Sequence, residues 1–141
     1  MTKSIITQGT HSIRQLRQKL NTALATTKDI EITNKSTRLK ASISQHEINK
    51  ISNPKAIEKS IANGFSKEEH FKVAELICTL YEEATLSQKH PDNKNRGWQV
   101  YRLISKIKIN HKLAQVKITA FEKGVGKKQN LHDRIRKKLE K

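Results

Sequence analysis

"KEEHFKVAELICTLYEEATLSQKH", residues 67–90, is the stretch that decides the predicted fold. Its apolar side chains cover well over half the circumference of a helix, which indicates packing on several sides. They are Phe71, Val73, Ala74, Leu76, Ile77, Cys78, Leu80, Tyr81 and Ala84. Ser66 and Glu69 have the spacing of a capping box and predict where this helix begins. We therefore predict a helix at the centre of the domain, ended by the turn residues that start at His90.

The N-terminal part of the chain predicts an amphipathic helix followed by a linker. Its apolar residues recur three or four positions apart, on one helical stripe. They are Ile13, Leu16, Leu20 and Leu24. Either Thr10 or Ser12 caps the start of this helix. Residues 29–43 are rich in Thr, Ser and Asn and lack a clear period, so we expect a linker there. Residues 1–43 then precede a core domain of residues 44–141.

Two shorter helices are indicated before the central one. Ser44 followed by Glu47 fits a capping box and opens the first of them. Asn53 is a good cap for the second, because Pro54 then occupies the first helical position. Gly64 supplies its stop. These signals extend the helical pattern to the whole middle of the chain.

The C-terminal third completes the predicted fold with three more helices. One covers roughly residues 97–109, a short one follows Asn110, and the last covers residues 127–141, where Leu131, Ile135 and Leu139 are four apart. No pair of strands with hairpin chemistry stands out. We predict an all-α fold, a single small bundle of five to seven helices, which the N-terminal helix either joins or accompanies loosely.

The chain is strongly basic, with 29 Lys and Arg against 13 Asp and Glu and a formal net charge of +16. The excess is concentrated at the C-terminal end. Residues 96–141 carry fourteen basic and three acidic side chains, whereas residues 46–95 carry seven and eight. Such a charge distribution favours an acidic partner.

We assign partner binding to a basic surface in this C-terminal third. Its members are Arg96, Arg102, Lys106, Lys127, Lys128, Arg134, Arg136, Lys137 and Lys138. The preferred partner is an acidic protein surface. Nucleic acid and an anionic membrane surface fit the same charge, the latter through the basic, amphipathic C-terminal helix.

Trp98 is the only tryptophan in the chain and raises the question of a base-stacking role. It shares a predicted helical face with Tyr101 and Ile104, a spacing that is typical of core packing. Single-strand binders usually present several aromatic side chains along a basic groove. We therefore expect Trp98 in the core.

The sequence indicates no catalytic residues, no cofactor and no metal site. Cys78 is the only cysteine, and no two histidines are three or four apart on a helix. Residues 122–128, EKGVGKK, lack the spacing and the Ser or Thr of a phosphate loop. No transmembrane segment is expected, because no apolar run is long enough. We expect a non-enzymatic protein that is cytoplasmic in the producing cell.

Two segments, LICTLYEEATLSQKHPDNKNRGWQVYRLISKIK (residues 76–108) and FEKGVGKKQNLHDRIRKKL (residues 121–139), resemble small helical domains of Legionella-type secreted effectors. The resemblance covers about residues 67–141. It implies translocation into a host cell and a binding or accessory role, and it transfers no catalytic residue. Leu139, third from the end, is compatible with a C-terminal translocation signal.

The function that the sequence favours is a non-enzymatic, basic helical interaction module that binds an acidic partner surface. The resemblance makes it a bacterial secreted effector or an effector accessory protein. The alternative is a sequence-independent nucleic-acid-binding protein, whose affinity would fall steeply with salt.

Overall fold

A computed structural model describes residues 3–7, 9–91 and 97–122 in full, and residues 135–140 by their backbone. Over these ranges the chain forms five helices and seven strands. In chain order they are β1 (Lys3–Ile5), α1 (Ile13–Leu24), β2 (Ile32–Thr33), β3 (Lys40–Ala41), α2 (Gln45–Ile51), α3 (Pro54–Ala62), α4 (Lys67–Glu75), α5 (Ile77–Glu83), β4 (Thr85–Pro91), β5 (Gln99–Ile109), β6 (Lys112–Glu122) and β7 (Ile135–Glu140). The predicted all-α bundle is therefore wrong, and the fold is mixed.

The helices α2, α3 and α4 begin where the sequence signals place them. Ser44 and Ser66 each form a complete capping box, with Glu47 and Glu69 respectively. Asn53 caps α3 through a hydrogen bond from the Ala56 backbone N–H. Such caps satisfy backbone donors that the first helical turn leaves unpaired. The helix starts predicted from Ser44, Asn53 and Ser66 are confirmed, whereas the short helix predicted after Asn110 is a strand.

The central helix is shorter than predicted. It is interrupted at Leu76, whose φ of −99° and ψ of 8° end α4 before α5 begins at Ile77. The chain leaves the helical conformation at Ala84, and β4 starts at Thr85. Residues 85–90 offer one apolar side chain, Leu86, which is 41% exposed, so another helical turn would gain little burial and the segment extends along the sheet instead.

A long antiparallel hairpin, β5–β6, forms the middle of the sheet. Its register runs without a break from Gln99 opposite Glu122 to Ile109 opposite Lys112. The connecting residues Asn110 and His111 have φ values of 48° and 66°. Positive φ at both central positions is characteristic of the tight two-residue hairpin turns whose twist matches that of the strands. The helices predicted over residues 97–109 and after Asn110 are thus these two strands.

The remaining strands of the larger sheet line both edges of this hairpin. β7 pairs antiparallel with β6, and residues 135–140 of the predicted C-terminal helix are therefore a strand. β4 pairs antiparallel with the first half of β5, and β1 pairs in parallel with its end at residues 107–109. The other residues of that predicted helix, 127–134 and 141, lie outside the described ranges. No helix within the described ranges is long and apolar enough to span a membrane.

The core lies between the helices and one face of the sheet. Leu16, Leu20 and Leu24 of α1 are buried in the same cluster as Phe71 and Ile77. The sheet contributes alternate residues of the hairpin to this cluster: Tyr101, Leu103, Ile107, Ile109, Val116, Ile118 and Ala120. Full burial of a large apolar side chain contributes about 1.5–3 kcal/mol, so this layer supplies most of the driving force for folding.

Residues 29–43, for which we expected a linker, contain the small hairpin β2–β3. Its loop is fixed by Asn34, whose side chain is fully buried. The amide nitrogen of Asn34 donates to the carbonyl oxygens of Tyr81 and Ala84 at 2.7 and 2.8 Å, and its oxygen accepts from Thr37. A buried amide with all these partners holds the loop to the end of α5.

A buried ionic cluster joins the turn of the large hairpin to α4. The carboxylate of Glu69 accepts hydrogen bonds from Lys112 Nζ at 2.8 Å and from Asn110 Nδ2 at 2.7 Å. Burial opposes ionisation of Glu69, but these bonds and one from the Ser66 backbone N–H outweigh it and hold the pKa of the carboxyl below its ordinary value. The cluster therefore favours a charged Glu69 at neutral pH.

Candidate functional site

The face of the sheet that points away from the helices is the strongest candidate for a functional site. We call it the outward face and define it by alternate residues of the hairpin: Val100, Arg102, Ile104, Lys106 and Lys108 of β5, and Leu113, Gln115, Lys117, Thr119 and Phe121 of β6. Side chains on this face carry four positive charges and, among these ten residues, no negative one.

The alternation of the strands creates this charged face as the complement of the core. In β5 the side chains of Leu103 and Ile107 are fully buried towards the helices, whereas those of Arg102 and Lys106 are exposed. Successive residues of a strand point to opposite faces, so every apolar residue that enters the core leaves a neighbour facing outwards. In this hairpin that neighbour is most often Lys, Arg or Gln.

A groove of about 500 Å³ crosses the outward face over the middle of β5. Its lining comes from three adjacent strands and is mainly polar. The residues are Ser87, Gln88, Arg102, Leu103, Ile104, Gln115, Lys117, Ile118 and Thr119. Arg102 and Lys117 bring its positive charge.

Arg102 is held at the centre of this groove by the strands on either side. Its Nε donates to Nε2 of His90 in β4 at 3.4 Å, and its Nη1 donates to Oγ1 of Thr119 in β6 at 3.5 Å. His90 Nδ1 lies 2.9 Å from the carbonyl oxygen of Pro91, which can only accept, so Nδ1 carries the proton and Nε2 accepts from Arg102. The guanidinium is therefore oriented across the sheet while it remains exposed to solvent.

Trp98 and Phe121 form an aromatic pair at one end of the outward face. Their ring centroids are 6.1 Å apart and the planes are inclined by 70°, an edge-to-face arrangement. Both side chains are half-buried, and neither belongs to the core cluster. Trp98 thus packs outside the core in which we expected it, because the segment after it is a strand and not a helix.

The same end of the hairpin carries a second polar contact on its inward face. The hydroxyl of Tyr101 donates to Oε1 of Glu122 at 3.0 Å, and Lys89 Nζ lies 5.2 Å from the centre of the Tyr101 ring. Burial, the hydrogen bond to Glu122 and the charge of that carboxylate together raise the pKa of Tyr101 to about 12. The phenol is therefore protonated at physiological pH and serves as a packing and hydrogen-bonding group.

The structure brings together only part of the predicted basic surface. Arg102 and Lys106 lie on the outward face, and Arg136, Lys137 and Lys138 lie in β7 at register positions opposite Phe121, Ala120 and Thr119. The others, Arg96, Lys127, Lys128 and Arg134, lie outside the described residues.

Lys117 completes the outward face and was missed as a candidate. The signal that reveals it is the alternation in Gln115-Val116-Lys117-Ile118-Thr119, in which two β-branched apolar residues are flanked by polar ones. A helical reading spreads these side chains around the axis, whereas a strand places Gln115, Lys117 and Thr119 on one face. The two periods therefore predict different surfaces from the same residues.

Ser60 and His70 lie as close together as a catalytic nucleophile and its base, but they are buried residues that hold helices of the core together. Ser60 Oγ donates to His70 Nδ1 at 2.7 Å, and His70 Nε2 donates to the carbonyl oxygen of Ile51 at 2.7 Å. Ser60 is fully buried and His70 is 3% exposed, so no substrate reaches them. They tie α2, α3 and α4 together. In the described ranges, no group of three or more His, Cys, Asp or Glu side chains is placed to hold a metal ion.

Comparisons with known proteins identify a family but no individual relative. No curated protein and no solved structure gives a significant match. A family model described as large polyvalent protein-associated domain 3 matches residues 11–133, which is most of the chain and includes the entire β4–β6 segment that builds the outward face. This match carries no information on secreted effectors, so the resemblance to Legionella-type effector domains stays a prediction. The chain belongs to this family of large polyvalent protein-associated domains.

Proposed function

We propose that the chain binds single-stranded nucleic acid, without sequence preference, on the outward face. The observation that carries the proposal is the combination of four cations, a groove and an aromatic pair on one open sheet surface. Proteins that bind single strands combine a positively charged groove with aromatic side chains on which bases stack.

The position of the charge supports a specific face over a general attraction of the whole molecule. The five helices together carry eight Lys and Arg and seven Glu, so the opposite side of the domain mixes both signs. Opposite charges at short spacing cancel over a Debye length of roughly 8 Å at physiological salt. The ten hairpin residues of the outward face include no carboxylate, and at the neighbouring register positions of β7 two cations, Arg136 and Lys138, outnumber Glu140. The face therefore keeps a positive field.

The shape of the site favours a single strand over a duplex. A protein reads duplex DNA by inserting a helix or a β-ribbon into a groove of the nucleic acid. Here the protein surface itself is concave, with its groove lying across the middle strands. A flexible strand can lie in this groove with its phosphates near Arg102 and Lys117 and a base near Trp98.

An acidic protein surface remains the other hypothesis for the same cations. It explains the charge of the face, and aromatic side chains are also enriched at protein interfaces, so the binding experiments below separate the two hypotheses. The family description associates the domain with large polyvalent proteins, and we infer that the domain works as one module of a longer chain. Action as a secreted effector stays a separate prediction.

The direct test is the triple variant Arg102→Gln/Lys106→Gln/Lys117→Gln. We expect it to bind a labelled, unstructured single-stranded oligonucleotide about 10- to 100-fold more weakly by fluorescence anisotropy. The slope of log affinity against log salt should become shallower by about 2, because each lost phosphate contact removes roughly 0.7 from it. A control variant, Lys50→Gln/Lys55→Gln/Lys59→Gln, removes the same charge from exposed positions on the helical side.

The two variants separate a local site from general polycation behaviour. Equal losses in both would overturn the proposal, as would binding by the native protein that vanishes at physiological salt. Trp98 gives a second readout, since it is the only tryptophan and its fluorescence should be quenched when a base stacks near it. Capture of an acidic protein by the native chain but not by the triple variant, without nucleic-acid binding, would support the other hypothesis.

A further inference from the structure

A second opening lies at the edge of the sheet, beside the outward face. The pairing of β4 with β5 ends at Ile104, and the pairing of β1 begins at Ile107. Ser105 and Lys106 therefore fall between the two edge strands. A cavity of about 690 Å³ occupies this gap, and we call it the edge notch. Its lining residues are Lys3, Lys35, Ser36, Leu80, Glu83, Thr85, Ile104, Ser105 and Lys106.

Three lysines from separate segments meet in the edge notch. Lys3 comes from β1, Lys35 from the β2–β3 loop and Lys106 from β5. Lys35 makes one ion pair, with Glu82 at 3.9 Å, and its side chain is 68% exposed. Glu83 is the one acidic residue in the lining. Hydroxyl groups of Ser36 and Ser105 add neutral donors, so the notch is suited to an anion.

The edge notch lies beside the groove. Ile104 lines both, and Lys106 lies on the outward face and in the notch. Arg102 and Lys106 are four residues apart on β5, about 13 Å at the rise of a β-strand. A nucleic-acid strand whose phosphates follow the cations from Arg102 to Lys106 would next reach Lys3 and Lys35.

We infer that the edge notch is a second phosphate subsite, which takes up the nucleic-acid strand where it leaves the outward face over Lys106. The inference rests on the proposed function and extends it from one face to a path. Its consequence is a dependence on length. A short oligomer reaches only the outward face, whereas a longer one also engages Lys3 and Lys35.

The test compares oligothymidylates of about four and about twelve nucleotides, lengths within the range of known single-strand site sizes. We expect the native protein to bind the longer one more tightly. The variant Lys3→Gln/Lys35→Gln should lose about 3- to 10-fold in affinity for the longer oligomer and leave the affinity for the shorter one unchanged. The variant Lys55→Gln/Lys59→Gln, with the same loss of charge on the helical side, should leave the length dependence intact.

Glu83→Gln provides a gain that damage to the fold cannot mimic. Glu83 is exposed, and its carboxylate opposes a phosphate in the edge notch. The variant should bind the longer oligomer about 2- to 5-fold more tightly and the shorter one as the native protein does.

The outcomes distinguish the subsite from the site that it extends. If Lys3→Gln/Lys35→Gln leaves the length dependence intact, or weakens both oligomers equally, the edge notch is not a subsite, even when the outward-face variants behave as proposed. If the native protein binds neither oligomer, both the proposed function and this inference are overturned. A selective loss for the longer oligomer, together with the gain in Glu83→Gln, supports the inference.

Discussion

The two faces of the β5–β6 hairpin differ from each other in burial and in charge. The inward side chains of Leu103, Ile107 and Ile118 are fully buried. The outward side chains of Lys106 and Lys117, one residue away from buried neighbours, are exposed. The same 11-residue strands therefore hold the domain together on one side and present its charge on the other.

Because of this difference, stability and the proposed binding can be tested at separate residues of the same strands. Substitutions on the inward face change apolar contacts within a packed core, which carry a cost for every lost methylene. Substitutions of the exposed outward residues, unlike those of the buried Val100 and Thr119, change charge and hydrogen bonding at a surface, where effects on folding are usually small. Pairs of variants, one on each face, therefore test this difference most directly.

The largest effect is expected for Leu103→Ala. Leu103 is fully buried in the core cluster, so the substitution should lower the free energy of unfolding by about 2–5 kcal/mol through lost apolar burial and the cavity it leaves. Urea unfolding followed by circular dichroism measures the change. A loss below about 1 kcal/mol would mean that the inward face is not packed as described.

A smaller effect is expected for Glu69→Gln, which tests the ionic cluster between α4 and the turn of the hairpin. The substitution removes the charge that Lys112 and Asn110 contact and should lower the free energy of unfolding by about 1–3 kcal/mol at neutral pH. Because folding lowers the pKa of Glu69, its contribution is complete above the ordinary value of 4.5 and disappears as the pH falls through the lower value of the folded state. The native and variant proteins should therefore converge in acid. A difference that is independent of pH would contradict the assignment.

The smallest effect is expected for Leu113→Ala, the outward counterpart of Leu103→Ala. The side chain of Leu113 is 77% exposed on the same hairpin. Its truncation should change the free energy of unfolding by less than about 0.5 kcal/mol. The same urea titration applies, and a cost near that of Leu103→Ala would abolish the distinction between the faces.

The sequence predicted the helical part of this fold well because capping is local chemistry. Ser44, Asn53 and Ser66 accept hydrogen bonds from backbone groups three residues away, so the signal and the structure lie in the same short segment. The stripe of leucines in α1 is equally local, and all three are buried.

The strands were missed because short apolar runs fit two periods. Trp98, Tyr101 and Ile104 recur every three residues as in a helix, but Ile107 and Ile109 alternate with lysines as in a strand. What decides between them is the pairing of β5 with β6 over all eleven residues, a contact that no local window contains. The Asn110-His111 turn and the enrichment in Ile, Val and Thr were the available signals.

The positive charge of the candidate site could be predicted from the sequence, but its shape could not. The concentration of Lys and Arg in the C-terminal third included Arg102 and Lys106 correctly among the exposed cations. The groove and the position of Lys117 depend on which residues share a face, and that follows only once the strand period is known. The edge notch depends on Lys3 and Lys35, which are distant in sequence; β1 pairing brings Lys3 near Lys106, and the contact of the β2–β3 loop with α5 brings Lys35 there.

The way β1 and β7 close the sheet has a consequence for where this domain can be cut. The family match spans residues 11–133 and so omits β1 and β7, two of the three strands that flank the β5–β6 hairpin. A fragment with those limits would leave the Ile107–Ile109 edge of β5 and the edge of β6 without their partners. Unpaired edges of this kind recruit other chains. The structural unit therefore includes at least β1 and β7 and is wider than the matched segment.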